Sequence, residues 1–260
     1  MVGSAGCVVV DEVDAVLRLP VDRLVQGEGV RLVLSSATAN KELRRFLRRW
    51  TRHIELVDLQ KGMHVPDTLS HHCLVIEDRQ TIRNIREKEA EPKETPEQEH
   101  YHHNGQLVEQ QQQEYLEAAD VLAEVAANVI EQMRARRTIM FIRSDAPTRQ
   151  FLAHLADHGV HALELAKRYS AKREEGSAVY LATEEAARGI DISDVDLVLI
   201  LDVPRGPASY AHLAGRTGRF GRSGAVVSVV PVGAWGFYES KMRGMYKALG
   251  LTPTKLDFVD

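Results

Sequence analysis

The residues with the clearest capacity for chemistry are the arginines of residues 212–222, which read His-Leu-Ala-Gly-Arg-Thr-Gly-Arg-Phe-Gly-Arg. A guanidinium group is always charged, and its planar fork matches the oxygens of a phosphate two at a time. Arg216 and Arg219 stand three residues apart, so one helical turn would direct both side chains to the same point. The intervening glycines let the backbone turn and approach a ligand closely. The pattern predicts a phosphate site, although a solvated basic turn would give the same residues.

A second group of candidate residues is acidic. Asp11, Glu12 and Asp14 follow the apolar run Cys-Val-Val-Val of residues 7–10, which predicts a buried parallel strand. Ligands of open α/β sheets bind at the carboxyl ends of the strands. One carboxylate there could hold Mg²⁺ through water, while its neighbour orients or deprotonates an attacking water. A polar strand exit without a ligand is the alternative.

Alternating strands and helices are predicted to position these groups. Amphipathic patterns predict helices at residues 41–50, 118–136, 147–158 and 235–249. Further apolar runs predict strands at residues 31–34, 53–59, 72–76, 138–142, 178–181, 197–202 and 225–230. Strands joined by helices at these intervals predict an α/β fold with a doubly wound parallel sheet.

The composition changes at two places along the chain. Residues 60–67, with Gly62 and Pro66, have the composition of a linker, so we expect one domain over residues 1–65 and another over 66–260. Residues 78–114 are charged and rich in Gln and His, which predicts a low-complexity insertion. We expect this insertion to be disordered or ordered by a partner, and to be dispensable for folding of the second domain.

Overall composition limits the possible function classes. The formal net charge of -4 excludes a basic footprint over the whole chain, so a nucleic-acid site must be a local patch. Cys7 and Cys73 fit neither a metal-binding spacing nor a disulfide framework, which indicates a reducing, intracellular compartment. The sequence has no apolar run long enough to span a membrane, and its first ten residues do not have the pattern of a secretory leader.

Five segments, taken in order, resemble motifs II to VI of the DEAD-box RNA helicases. They are Asp-Glu-Val-Asp at 11–14, Ser-Ala-Thr at 36–38, Met-Phe-Ile-Arg-Ser at 140–144, Ala-Arg-Gly-Ile-Asp at 187–191 and His-Leu-Ala-Gly-Arg-Thr-Gly-Arg at 212–219. The resemblance implies RecA-like parallel sheets flanked by helices, with a complete second helicase domain and a fragment of the first. It also implies ATP and Mg²⁺ as cofactors, RNA and RNP proteins as partners, and the activity of an ATP-dependent RNA helicase or RNP remodeller.

The resemblance also implies a role for individual residues. Asp11 would hold Mg²⁺ through water, Glu12 would activate the hydrolytic water, and Arg216 and Arg219 would act as arginine fingers on the γ-phosphate. The remaining implied roles are nucleotide binding by Asp191 and Gly189, coupling between the nucleotide site and the domain interface by Asp14, Ser36, Thr38 and His212, and RNA contact by Arg143, Ser144, Thr183 and Arg188.

Several departures from the family pattern favour a second hypothesis. These 260 residues contain no Gly-x-x-x-x-Gly-Lys-Ser/Thr phosphate loop, Leu213 replaces the first arginine of motif VI, and Glu184 replaces an aspartate. The alternative is therefore a catalytically weak or inactive helicase-derived assembly factor, bound in a large RNP such as a ribosome precursor. A DNA translocase is disfavoured by the form of motifs II, III and VI. The sequence leaves the cytoplasm, nucleolus and mitochondrion open as compartments.

Overall fold

The computed structural model describes residues 7–10, 31–36, 45, 48, 65–78, 80–86, 105–165, 178–187, 192–231 and 235–259. The chain divides into two compact units, Met1–His64 and Val65–Asp260. In the described residues, no helix is both long enough and apolar enough to cross a membrane.

The described part of the first unit is a pair of parallel strands. Strand β1 (Cys7–Val10) pairs with β2 (Arg31–Leu34), with Val9 opposite Val33. Both predicted strands are confirmed, but the expected burial of the first is wrong at Val9, which is 68% exposed. Side chains alternate between the two faces of a strand, and the face that carries Cys7 and Val9 lies outside the core.

The other predicted elements of this unit fall largely outside the described residues. In the helix predicted at 41–50 only Arg45 and Arg48 are described, and both are helical and exposed. The strand predicted at 53–59 lies entirely outside the described residues.

The second unit is built on a seven-stranded sheet with the order β4-β3-β9-β8-β5-β7-β6. Its neighbouring strands are parallel, except for the antiparallel pair β3–β4. The strands are β3 (Leu69–Ile76), β4 (Ile82–Asn84), β5 (Arg137–Ile142), β6 (Ala162–Glu164), β7 (Ala178–Thr183), β8 (Leu197–Ile200) and β9 (Gly224–Val230). The helices are α1 (Gly105–Gln132), α2 (Thr148–Asp157), α3 (Pro207–Ala214) and α4 (Trp235–Leu249), with a 3₁₀ turn at Arg219–Gly221.

Apolar side chains cover both faces of this sheet. Along β3, Cys73 and Val75 join a core shared with α3 and α4, whereas Leu74 and Ile76 join a core shared with α1 and α2. A strand that is buried on both faces needs apolar residues at successive positions, which is why these strands appear in the sequence as continuous apolar runs. The predicted α/β fold with a doubly wound, mostly parallel sheet is confirmed.

The insertion predicted at 78–114 is too long at both ends, because parts of it belong to the folded second unit. Strand β4 lies inside it, and Asn84 is buried, donating hydrogen bonds to the carbonyls of Leu256 at 3.2 Å and Val259 at 2.6 Å. Helix α1 also begins inside it, at Gly105 rather than near residue 118. Deleting the whole segment would remove these contacts, so its dispensability for folding is not expected. Residues 87–104 lie outside the described part of the chain.

Two adjacent histidines of β3 are buried among polar groups. His71 Nδ1 lies 2.7 Å from the hydroxyl oxygen of Tyr210, and His72 Nδ1 donates to the carbonyl of Thr254 at 2.9 Å. Burial, with a smaller contribution from the adjacent His72, lowers the pKa of His71 to about 4. His71 Nε2 is buried without a hydrogen-bond partner among the described residues. A proton on His71 is therefore poorly accommodated in the folded state.

We expect the unfolding free energy to fall as the pH is lowered from about 6.5 to 4. The unfolded chain takes up a proton on His71 in this window while the folded chain resists it, so stability is complete above pH 6.5 and lost towards pH 4. Between pH 6.5 and 4 the free energy of unfolding should fall by about 3 kcal/mol. Urea denaturation at a series of pH values measures it. His71→Asn should flatten the dependence in part, since His72 shifts in the same direction. His161→Asn, at an exposed position, should leave it unchanged; equal effects of the two variants would contradict this origin.

Candidate functional site

The arginine segment predicted to bind phosphate lies just beyond the end of α3. That helix ends at Ala214, and Gly218 then adopts a left-handed conformation with φ of 67°. Arg216 and Arg219 are therefore not on one helical turn, which corrects that part of the prediction. The physical reason is the reversal at Gly218, which separates the two arginines into different local structures.

Each of these two arginines is held by a group four residues before it. The Arg216 guanidinium bonds through Nη2 to His212 Nε2, and Arg219 Nε donates to the carbonyl of Gly215 at 3.2 Å. A guanidinium has no acceptor, so His212 Nε2 must accept and the ring proton must lie on Nδ1. Arg216 is 8% exposed. These contacts hold the guanidinium group of each side chain.

Steric constraints explain Gly218 of this loop and Gly224 at the start of β9. A Cβ on Gly218 would lie 2.3 Å from Leu69 Cδ2, and its positive φ also disfavours other residues. A Cβ on Gly224 would lie 2.1 Å from Thr217 Oγ1, whose hydroxyl donates to the buried carbonyl of Val195 at 2.6 Å. Close packing against β3 and against the loop before β8 therefore holds the arginine segment in place.

Arg222 has a different environment from the other two arginines. Its guanidinium pairs with the carboxylate of Asp194, and the two side chains are 64% and 44% exposed. Exposed pairs of this kind contribute little to stability. Arg222 therefore fits the solvated-turn alternative, which makes it a natural control for Arg216 and Arg219.

A pocket of about 400 Å³ opens at the carboxyl ends of β5, β7 and β8. We call it the strand-end pocket. Parallel strands bring their carboxyl ends to one edge of the sheet, so residues distant in sequence meet there. Its polar lining follows β5 (Arg143, Ser144, Asp145), β7 (Glu184, Glu185) and β8 (Asp202, Arg205), and Leu213 of α3 lines it as well.

Several charged groups of the strand-end pocket are in contact with one another. Arg143 donates through Nε and Nη2 to the two carboxylate oxygens of Asp145, at 3.0 and 2.7 Å. This hydrogen bonding holds the pKa of Asp145 below its usual range. Burial raises the pKa of Asp202, and Asp145 adds to that rise. The hydroxyl of Ser209 donates to Glu184 Oε2 at 2.7 Å.

Some of the predicted site residues lie together in the structure, and others lie outside its described part. Arg143 and Ser144 both line the strand-end pocket, whereas the hydroxyl of Thr183 accepts a hydrogen bond from the Ala186 amide at 3.2 Å. Ser36 is partly buried two residues after β2. The predicted residues that lie outside the described part of the chain are Asp11, Glu12, Asp14, Thr38, Arg188, Gly189 and Asp191.

The motifs did not reveal several residues of this pocket. Asp145, Glu185 and Arg205 were not predicted as site residues, although each follows a predicted parallel strand within a few positions. Their position after the strand ends was the available signal. The buried Tyr210–His71 bond had no signal in the sequence, because its two partners are 139 residues apart.

The two implied cofactors fit the described residues unequally. Two anchored guanidinium groups, those of Arg216 and Arg219, form a donor set suited to the phosphates of a nucleotide. The implied ligand of Mg²⁺, Asp11, lies outside the described residues, and within them no cluster of three His, Cys, Asp or Glu side chains suits a metal ion.

A three-layer α/β unit with a mostly parallel sheet and helices on both faces has the architecture of a RecA-like helicase domain. Solved structures share this fold. The Saccharomyces cerevisiae protein Dbp5 bound to RNA and ADP BeF3 matches with a TM-score of 0.62 at 20% identity, over 95% of this chain and 59% of that one. Mss116p bound to single-stranded RNA and AMP-PNP matches with a TM-score of 0.63 at 17% identity, over 96% of this chain and 47% of that one.

Sequence comparisons show which proteins the chain is similar to. Residues 121–221 match the helicase conserved C-terminal domain. The chain is 33% identical over 131 residues to DEAD-box ATP-dependent RNA helicase 36 of Arabidopsis thaliana, and 38% identical over 103 residues to the ATP-dependent rRNA helicase RRP3 of Lodderomyces elongisporus. These matches cover 46% and 36% of this chain but 27% and 20% of the relatives' lengths. The chain is therefore similar in sequence to DEAD-box RNA helicases, and the resemblance found in its motifs is confirmed.

Proposed function

We propose that this chain is part of an ATP-dependent RNA helicase or RNP remodeller of the DEAD-box type. The observation that carries the proposal is the arginine loop, in which hydrogen bonds fix Arg216 and Arg219, and Gly218, packed against Leu69 with a positive φ, disfavours any larger residue. A solvated basic turn does not require such packing. The fold holds this loop against the amino ends of β3 and β8, through Leu69 and Val195.

In this proposal Arg216 and Arg219 stabilise the negative charge that develops on the γ-phosphate of ATP during hydrolysis. Glu12 orients and deprotonates the attacking water, and Asp191 and Gly189 contact the nucleotide. Mg²⁺, held through water by Asp11, neutralises phosphate charge when it is bound. Asp14, Ser36, Thr38 and His212 would couple nucleotide binding to RNA binding; the contact between His212 and Arg216 gives this role a physical basis.

The strand-end pocket supports the assignment of RNA as the partner. Arg143 and Ser144 present a guanidinium and a hydroxyl at its surface, and both are suitable donors to a nucleic-acid backbone. Thr183 ends β7 at the same edge of the sheet, and Arg188 belongs to the motif at 187–191. RNP proteins are the second class of partner, since several relatives are named rRNA helicases. We therefore propose that the protein acts inside the cell, where RNPs are found.

A specific observation favours a second candidate function, an assembly factor with weak or no ATPase activity. Leu213 stands where motif VI carries its first arginine, and it is 4% exposed in the apolar core. One guanidinium of the family's set is thus replaced by a packed side chain. Such a protein would bind RNA in a large RNP without using ATP to release it.

Strand separation distinguishes these two functions. The protein as its gene encodes it is incubated with a short labelled RNA duplex, Mg²⁺ and either ATP or AMP-PNP. We expect ATP to drive separation of the duplex and AMP-PNP to leave it intact. RNA binding without ATP-dependent separation would favour the assembly factor, and absence of RNA binding would contradict both proposals.

A further inference from the structure

The strand-end pocket carries more negative than positive groups. Four carboxylates line it, those of Asp145, Glu184, Glu185 and Asp202, against the two guanidiniums of Arg143 and Arg205. A phosphate that enters is repelled by most of these groups, and its attraction depends on the two arginines. The availability of each arginine therefore decides how well this pocket can bind an RNA backbone.

Arg143 already has a partner inside the pocket. Its Nε and Nη2 atoms donate to Asp145 Oδ1 at 3.0 Å and Oδ2 at 2.7 Å, a two-pronged contact. A guanidinium would offer the same fork to two oxygens of a phosphate. Asp145 thus occupies a donor edge that an incoming phosphate would use.

The chain holds this competitor in a fixed position beside Arg143. Directly after β5, the Ala146 amide donates to the carbonyl of Arg143 at 3.2 Å, closing a turn that places Asp145 on the same loop. The side chains of Arg143 and Asp145 are 50% and 65% exposed, so solvent and ligands reach both. Exchange of partners at such an exposed pair costs little free energy.

We propose that Asp145 is a positioning residue that competes with RNA phosphate for the Arg143 guanidinium and thereby limits the affinity of the pocket for RNA. This inference rests on the proposed RNA-binding function and names a determinant of it. An RNA backbone gains the fork of Arg143 only by displacing the carboxylate. Removing that carboxylate therefore strengthens RNA binding instead of weakening it.

The test measures RNA affinity in the protein as its gene encodes it. Fluorescence anisotropy with a labelled single-stranded oligouridine is recorded with Mg·AMP-PNP at several salt concentrations. Asp145→Asn is expected to tighten binding about threefold to tenfold at physiological salt. The control is Asp157→Asn, which removes a charge of the same sign at the end of α2, about 14 Å along the helix from Thr148. That distance exceeds the screening length at physiological salt, so binding should not change.

A double-mutant cycle separates this role from a structural one. In an Arg143→Gln background, the gain from Asp145→Asn should disappear, because the guanidinium that it releases is absent. The salt dependence of RNA binding should also steepen in Asp145→Asn alone, since one more phosphate contact forms. Asp145→Glu, which keeps the carboxylate, should stay near the unchanged protein.

Three outcomes would overturn the inference while RNA still binds. They are weaker or unchanged affinity for Asp145→Asn, a gain that persists with Arg143→Gln, and an equal gain for Asp157→Asn. No RNA binding by the unchanged protein is a different result, which would overturn the proposed function and this inference with it.

Discussion

Replacing Arg216 or Arg219 by Ala is expected to lower RNA-stimulated ATP turnover by about 10³-fold in the protein as its gene encodes it. The affinity for Mg·ATP should change far less. An arginine finger acts on charge that develops in the transition state, whereas binding of the ground state depends mainly on other phosphate contacts. Steady-state turnover and nucleotide titration by calorimetry measure the two effects separately.

Two further variants make this result interpretable. Arg222→Ala is the matched control, because its exposed pair with Asp194 lies just beyond the anchored loop. We expect turnover close to that of the unchanged protein. Arg216→Lys keeps a charge but loses the planar fork, so it should recover little activity. If the three Ala variants behave alike, or if affinity and turnover fall together for Arg216 and Arg219, the finger assignment is wrong.

The second large effect is expected at Glu239 of α4, whose residue is 2% exposed. Its carboxylate accepts from Arg83 Nη1 at 3.2 Å and Nη2 at 2.8 Å, and from the Arg86 amide at 3.1 Å. Arg243 Nη1 lies 3.1 Å from Oε1 as well. Burial opposes ionisation of Glu239, but the bonds from Arg83 prevail, and its pKa lies below the usual range.

Glu239→Ala should therefore lower the free energy of unfolding by about 3 to 5 kcal/mol, because the Arg83 guanidinium is left with a buried, incompletely compensated charge. For a unit of this size the melting temperature should fall by roughly 6 to 20 °C. Thermal unfolding followed by circular dichroism is the measurement. Glu131→Ala, at an exposed position of α1, should cost no more than about 0.5 kcal/mol. Similar losses for the two variants would show that the ion-pair cluster has no special role.

The same cluster shows which parts of the fold the sequence could predict. Strands β5, β8 and β9 are apolar at nearly every position because both faces are buried, so their patterns predicted them directly. Strand β4 reads Ile-Arg-Asn, and nothing local identifies it as a strand. Its arginine and asparagine are stabilised by Glu239 and by the carbonyls of Leu256 and Val259, which are more than 150 residues away in the sequence.

The sequence likewise predicted some features of the candidate site and not others. Residue type and spacing identified Arg216 and Arg219, because their chemistry is carried by short motifs. Spacing could not show that Gly218 reverses the chain between them, since this reversal depends on packing against Leu69 of β3. Proximity in sequence likewise placed Asp145 near Arg143 but could not show that its carboxylate faces the fork of that arginine.

ATP hydrolysis with and without RNA tests the central claim most directly. The protein as its gene encodes it is assayed with Mg·ATP in the presence and absence of single-stranded RNA, and RNA binding is measured in the same samples. We predict that RNA raises the hydrolysis rate and that Arg219→Ala removes this increase. Hydrolysis at the same rate with and without bound RNA would contradict the proposal of an RNA-dependent ATPase.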